Sequence, residues 1–507
     1  MRKNFPNDLL AVLAACLSGC ALVSVGRPAA APAGTGGTVV AQWVEVVSYS
    51  VNAPDAGNAP LLLARAIVDA PPGTAPCPAI SINGAVLQMH ARETNRDPVH
   101  FPVQVCEALV PSDASSVSIA GGAAFSFFPI DLQNLANRIY VIGDTGCRGV
   151  DGYRCQVAQS PYPPGSWAFP GLSADIATHG SPSLIVHVGD YLYRQTPEQT
   201  GCPPNLPCDT WENWKADFFA PAAALLRKAP WIFTRGNHEE CTSTPLAWGG
   251  TGWFLFLDPH SACVSPGVAA PACSGGPSPL DCNHGNAQYP IPYAVDVGFQ
   301  SEGQASTLRM IVLDSIYAAD IPAHKTYDPH FRTMQSLAAG ARQAWVLSHK
   351  PLWGIGSLPR ASRPTTTQSQ DLQQSERDYP LPGNVQLFLS GHIHAFEELT
   401  VGIPAQGLPI QVVVGGSGVN LLETLGGIHD VSARIQAGEV FAGQPIIGHV
   451  QSDHGFAVFT PAARGGNGFA WQGSYRDSSD HSLFEFIIAA PGARPDTHPN
   501  PTLSRDR

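Results

Sequence analysis

Five short segments in the middle of the chain place metal-binding side chains directly behind apolar runs. They are Gly143-Asp144-Thr145-Gly146, Gly189-Asp190-Tyr191-Leu192-Tyr193, Gly236-Asn237-His238-Glu239, Ser348-His349-Lys350-Pro351 and Gly391-His392-Ile393-His394. Carboxylate and phenolate are hard anionic donors, while amide oxygen and imidazole suit divalent zinc, iron or manganese. Two ions held roughly 3.5–4 Å apart can clamp the attacking and leaving oxygens of an in-line displacement. Taken singly, each segment is an ordinary turn. Five in order, each closing a buried-strand pattern, imply one site. Glycine beside the ligand in four of the five lets the backbone turn sharply as it leaves the strand.

The runs that position these residues are short and rich in β-branched side chains: IYVIGD (139–144), LIVHVGD (184–190), WIFTRGNH (231–238), LRMIVLD (308–314), AWVLSH (344–349), VQLFLSGH (385–392) and IQVVVGG (410–416). Each reads as a buried strand. Helical patterns lie between them. Thr210 to Ala229 carries Trp211, Trp214, Phe218, Ala222 and Leu225 at helical spacing. After Asp328-Pro329, His330 to Ala344 carries Phe331, Met334, Leu337, Ala338 and Ala341. Strands alternating with helices predict an α/β layer fold, whose sites lie beyond the carboxyl ends of the strands. Residues 38–130 instead alternate apolar and polar positions, as in 39–47 and 85–90, and predict a small N-terminal β-sandwich domain. Segments 455–459, 468–477 and 482–488 read as strands closing a second sheet. Residues 494–507 form a polar tail, expected to be disordered. Gly415-Gly416-Ser417-Gly418 fits neither a nucleophile elbow nor a dinucleotide loop, and its place after a strand predicts a turn near the metals.

With these blocks in hand, the sequence resembles the calcineurin-like metallophosphoesterase superfamily and, within it, the purple acid phosphatases. The superfamily's first block carries a His two residues after its Asp; here that position is Gly146. Purple acid phosphatases make the same change and supply a Tyr three residues after the second-block Asp, where this chain has Tyr193. Their last block runs GHxHxYER. Here Glu397 matches, while Phe396 and Glu398 replace the Tyr and Arg. The resemblance spans about 139–490. It implies a four-layer αββα sandwich over 137–490 and a binuclear centre. Asp144, Tyr193 and His394 would hold Fe(III); Asn237, His349 and His392 would hold a divalent Zn, Fe or Mn ion; Asp190 would bridge the two. It also implies hydrolysis of phosphate esters by attack of a metal-bound hydroxide. His238 would contact the phosphate or protonate the leaving group, with Glu239 orienting it. The substrate-contacting histidines that often follow the fourth block are missing from 350–356, which leaves Lys350 or Arg360 to supply positive charge. Asp314 reads as a hydrogen-bonded strand end. His187, His284, His324 and His330 read as packed or exposed histidines. The same metal pair can serve a monoesterase or a phosphodiesterase or phospholipase, and a non-catalytic metal-containing lipoprotein is the third reading.

The rest of the chain addresses location. Met1-Arg2-Lys3 followed by the apolar run 9–17 reads as a secretory signal, too short to span a bilayer at about 20 residues. Leu17-Ser18-Gly19-Cys20 resembles a bacterial lipobox, which makes 1–20 a signal peptide and Cys20 a lipid-anchored first residue. Ala21 in place of Asp implies the outer membrane. Residues 21–37, rich in Ala, Gly and Pro, read as a flexible tether. Ten cysteines remain beyond Cys16 and Cys20, an even number that predicts disulfides in an exported chain. Local spacing suggests Cys77–Cys106, Cys147–Cys155 and Cys202–Cys208, with four more within 241–282 left open. With 28 Lys+Arg against 40 Asp+Glu, the net charge of −12 argues against a nucleic-acid surface.

Overall fold

The computed structural model describes residues 37–48, 57–92, 97–147, 167–194, 208–240, 249–259, 290–319, 327–355, 369–401, 408–421, 430–431, 440–441, 444–465 and 468–491. The first seven strands are β1 (Thr38–Ser48), β2 (Pro60–Asp69), β3 (Ala79–Ile82), β4 (Ala85–Gln88), β5 (His90–Ala91), β6 (Gln104–Val110) and β7 (Val117–Ile119). The middle of the chain adds β8 (Ile139–Ile142), β9 (Leu184–His187), β10 (Trp231–Phe233), β11 (Tyr293–Ser301), β12 (Gln304–Val312), β13 (Ala344–Leu347) and β14 (Val385–Ser390). The last third supplies β15 (Phe396–Val401), β16 (Ile410–Val414), β17 (Asp430–Val431), β18 (Val440–Phe441), β19 (Gln444–Gln451), β20 (Phe456–Gly465), β21 (Gly468–Arg476) and β22 (Ser482–Ile488). The helices are α1 (Ala168–Thr178), α2 (Trp211–Trp214), α3 (Gly250–Phe256), α4 (Asp328–Ala338) and α5 (Gln370–Asp378). None of them is long and apolar enough to cross a membrane.

Two large sheets stack face to face. One runs β22-β21-β20-β8-β9-β10-β1-β2-β6-β5; the other runs β11-β12-β13-β14-β16-β15-β19-β17, with β18 paired to β19. The strands that lead into the site are parallel: β8, β9 and β10 in the first sheet, β12, β13, β14 and β16 in the second. Their continuous apolar runs follow from burial on both faces. Along β8, Val141 points to the inter-sheet core with Val186, Ile232, Leu308, Trp345 and Leu387, while Tyr140 and Ile142 point outward. The outer face of the first sheet packs against Phe169, Trp214, Phe218 and Trp253 from the helical side. That of the second packs against Phe331, Met334 and Leu372 of α4 and α5. This is the four-layer α-β-β-α arrangement. Each large apolar side chain buried in it contributes about 1.5–3 kcal/mol over exposure.

All seven apolar runs, five of which end in site residues, are strands. Other expectations need amendment. The described residues of 38–119 hold strands and turns without a helix, and the small sheet β4-β3-β7 buries Ile80, Ile82, Val117 and Ile119 in the inter-sheet core. The remaining strands of this region do not stand apart, because β1 pairs in parallel with β10 at Glu45 and Trp231. Hydrogen bonds therefore cross the expected boundary near residue 130. Strands β20 to β22 extend the first sheet through β20 and β8 instead of closing the second. The helix expected over 210–229 is broken into α2, a π turn at Lys215–Phe219 and a 3-10 turn at Leu225–Arg227. Pro221 explains the break: it has no N–H to donate and its ring crowds the carbonyl four residues back. The Ala220 N–H accordingly reaches five residues back, to the Lys215 carbonyl at 2.8 Å.

Cys77 and Cys106 form the expected disulfide. Cys147 and Cys208 are also disulfide-bonded, but their expected partners Cys155 and Cys202 lie outside the described residues. So do the leader, the tether, Cys20, the 494–507 tail and the four cysteines within 241–282.

Candidate metal centre

The carboxyl ends of β8, β9 and β10 in one sheet face those of β13 and β14 in the other. Asp144, Asp190, Tyr193, Asn237, His349, His392 and His394 meet there. Three of them leave their strands in the left-handed region: Asp144 at φ 54°, Asp190 at 60° and His392 at 71°. Non-glycine residues held this way cost on the order of 1–3 kcal/mol each, and they persist where surrounding structure holds them. Gly189, at φ 99°, is needed twice over: for its conformation, and because a Cβ would run into the His349 ring and the Gly236 backbone.

Tyr193 sits at the centre of one half. Its hydroxyl lies 2.8 Å from Asp144 Oδ1, 2.9 Å from Asp190 Oδ2 and 3.2 Å from His394 Nε2. The other half is built around Asn237 Oδ1, 2.9 Å from His349 Nε2 and 2.7 Å from His392 Nδ1. Asp190 joins them, with its Oδ1 3.2 Å from His349 Nε2. Ligand atoms of Asp144, Asp190 and His349 all fall within 4.8 Å of one another.

Proton placement shows that this donor set suits cations. His349 Nδ1 is 2.8 Å from the Val188 carbonyl, which can only accept, so Nδ1 carries the proton. Nε2 faces two further acceptors, Asn237 Oδ1 and Asp190 Oδ1, the position from which an imidazole ligates a cation. His394 repeats the pattern, with Nδ1 3.2 Å from the Asn420 carbonyl and Nε2 turned inward. An imidazole that gives its outer N–H to a backbone carbonyl is oriented and made more basic for metal ligation. The Tyr193 hydroxyl faces Asp144 Oδ1, Asp190 Oδ2 and His394 Nε2 at once. Oxygen and nitrogen atoms that converge in this way are what a metal pair satisfies. The titration behaviour agrees. Burial, followed by the Asp190 charge, pushes Asp144 well above the carboxylate range. Burial works against the Asp190 charge too, but His349 and His238 hold its carboxyl well below its usual value. Burial and the His349 and Lys350 charges keep His392 neutral, the form that binds metal.

His238 stands at the rim. Its ring lies 4.2 Å from that of Tyr193, its Nε2 is 3.9 Å from Asp190 Oδ2, and its backbone N–H donates to Asp190 Oδ1 at 3.0 Å. Glu239 takes a different place from the one expected. Its buried carboxylate accepts the backbone N–H groups of Asp190, Tyr191, Leu192 and Gly236 at 2.8–3.2 Å, so it holds the turn that carries Asp190. The two nearby tyrosines are clearly separated. Tyr191 stacks on His187 at 3.9 Å and donates to the Thr234 carbonyl, as a core residue does. His187 is packed as expected: it accepts from the Gly189 N–H and pairs with Thr145 Oγ1 at 2.8 Å. Asp314 pairs with Arg235 at 3.3 Å, and His330 is buried. Lys350 donates to the Ala318 carbonyl, while Arg360, His284 and His324 lie outside the described residues.

The sequence reading missed the groups that bind through the main chain. Val188, Val419 and Asn420 act by backbone atoms that any residue supplies, so their types carry no signal. Arg194, next to Tyr193, makes a buried two-pronged pair with Asp217 at 2.6 and 2.8 Å.

No curated protein matches the chain. Among solved structures it is similar to GAP50, the anchor in the inner membrane complex of Plasmodium, at 13% identity over 70% of this chain and 90% of that chain, with a TM-score of 0.40. The model of the calcineurin-like phosphoesterase family matches residues 137–396, just over half of the chain and the stretch that holds all seven converging side chains. The protein belongs to the calcineurin-like phosphoesterase family.

Proposed function

We propose that the protein is an exported, metal-dependent phosphatase that hydrolyses phosphate monoesters, with a purple acid phosphatase-like centre. The observation that carries this reading is the Tyr193 hydroxyl between Asp144, Asp190 and His394. It supports Asp144, Tyr193 and His394 as holders of Fe(III). Asn237, His349 and His392 would hold a divalent Zn, Fe or Mn ion, with Asp190 placed between the two sets. The ions would supply Lewis-acid polarisation of a water and of the phosphoryl oxygens. The chain's own residues do the rest. Glu239 and Gly189 fix the turn that aims Asp190. Val188 and Asn420 hold the ligand imidazoles in the inward-facing tautomer. His238, with its side chain 13% exposed, sits where a leaving oxygen would depart and donates its proton there. The signal-like segment over 1–20 and the lipobox-like Cys20 support an activity anchored at the outer membrane.

Metal analysis paired with a visible spectrum tests this. Expected are two metal ions per chain, one of them iron, and a violet band that Tyr193→Phe abolishes. Hydrolysis of p-nitrophenyl phosphate should outpace that of bis-p-nitrophenyl phosphate at acid pH. Two metals without colour remove the Tyr–Fe(III) assignment, and faster cleavage of the diester removes the monoesterase. A chain that takes up no metal after reconstitution overturns the catalytic reading.

A further inference from the structure

The segment after β16, residues 415–420, lies across the two turns that present Asp144 and His394. The Gly415 N–H donates to the Ala395 carbonyl at 3.0 Å, the Val419 N–H to the Asp144 carbonyl at 2.8 Å, and the Asn420 carbonyl meets His394 Nδ1. The approach is close enough that a Cβ on Gly418 would collide with the Thr145 backbone, and one on Gly415 with the Ile393 carbonyl.

Ser417 is the fully buried side chain at the middle of this segment. Its hydroxyl works in both directions, accepting the Gly143 N–H at 3.2 Å and donating to the Gly455 carbonyl at 2.8 Å. Its own N–H returns to the Gly143 carbonyl at 3.2 Å. Gly143 immediately precedes Asp144, whose left-handed backbone needs outside support. These bonds fall on the Asp144–Tyr193–His394 half of the centre.

We propose that Ser417 is a positioning residue that sets the metal affinity of the Asp144–Tyr193–His394 half-site separately from that of the Asn237–His349–His392 half. This rests on the reading above that each half holds one ion. The hydroxyl ties the residue before Asp144 to the start of β20. Without it the Gly143 N–H and the Gly455 carbonyl lose this partner, and the turn that carries Asp144 loses one of its supports, while the His392 N–H still bonds the carboxylate.

Ser417→Thr and Ser417→Val test this, since the two side chains have the same size and differ in the hydroxyl. Zinc stoichiometry and affinity are measured by competition with a chromophoric chelator, beside wild type. Ser417→Thr is expected to bind two zinc ions as wild type does. Ser417→Val is expected to keep one at wild-type affinity and to hold the other about 10–100-fold more weakly, the range for loss of a group that orients a ligand. Ser417→Ala, which adds no bulk, is expected to behave as Val does and serves where the larger side chains disturb the core. Equal affinities across Thr, Val and Ala overturn the proposal. So does equal weakening of both ions, which marks a general structural defect. A wild-type chain that binds no zinc overturns the two-ion reading itself.

Discussion

Glu239 contacts no ligand atom of the imidazoles, yet four backbone N–H groups converge on its carboxylate, among them that of Asp190. A carboxylate has only acceptor sites, which matches a ring of donors. Glu239→Gln would turn an amide NH2 toward some of those donors. Leaving one buried donor unmatched costs about 1–3 kcal/mol. The expected outcome is a lower midpoint in thermal unfolding together with a fall in kcat of tenfold or more, because Asp190 loses its aim; Glu239→Ala should be worse on both counts. A variant with wild-type stability and kcat would show that the turn holds without it. The residues that bear ligand atoms could be read from sequence because their chemistry is rare at strand ends. The role of Glu239 could not, because a carboxylate that binds backbone looks the same in sequence as one that orients a histidine.

At the scale of elements, α3 is held at both ends by charge. Asp209 accepts the Thr251 N–H at 2.6 Å and the Gly252 N–H at 3.3 Å at its start, and the Trp214 indole N–H at 2.8 Å. At its other end Arg65 donates to the Phe256 and Asp258 carbonyls, and Arg92 to those of Phe254 and Asp258. Both signs complement the helix dipole. The Arg side chains come from the N-terminal region, where Glu45 and Glu107 pair with them at 2.7–3.2 Å. The Gly249 N–H, just ahead of the helix, donates to the His238 carbonyl at 2.7 Å, so the clamp bears on the site. Asp209→Ala should cost about 0.5–2 kcal/mol, as loss of a helix cap does. Arg65→Ala should cost more, about 3–5 kcal/mol, because it strands the buried Glu45 carboxylate. Denaturant unfolding of the two variants checks the order. None of this was legible in the sequence. Strands β8, β9, β10, β13 and β14 announce themselves by apolar runs that end in a metal-binding side chain. The pairing of β1 with β10, and of β20 with β8, depends on which edge is open once the sheet exists, and no local pattern records that.

Across the whole molecule, burial raises several carboxyls that hold no metal. Glu376 and Glu397 are pushed to about 8, and Glu45 and Asp209 to about 7. Each is protonated more readily folded than unfolded, so its favourable contribution is complete below the ordinary carboxylate range near pH 4–5. That contribution is lost as pH rises through the folded value of 7–8. His330, lowered to about 4, works the other way, since its stability is present above its unfolded value and lost as pH falls toward 4. With Glu398, also raised to about 7, and with Asp144, Glu239 and Asp314 raised as well, such carboxyls outnumber the imidazoles that burial lowers, His187, His330, His392 and His454. The thermal midpoint of the metal-free protein should therefore fall between pH 5 and pH 8, and the double variant Glu376→Gln, Glu397→Gln should flatten that fall. A midpoint that rises over the same range would contradict the assignment.

The centre draws Asp144, Asp190, Tyr193 and Asn237 from one sheet and His349, His392 and His394 from the other, and the His349 imidazole bonds directly across to Val188. Most of the face between the layers is apolar contact, which resists separation but tolerates sliding; beside the centre the bonds of Ser417 to Gly143 and of Val419 to Asp144 add polar ties. Donors drawn from both sides of that seam convert a slippery face into a bolted one. Shear between the sheets is then a motion that displaces the donors, and a substitution deep in the inter-sheet core, far from any of them, can detune the centre by shifting one half against the other.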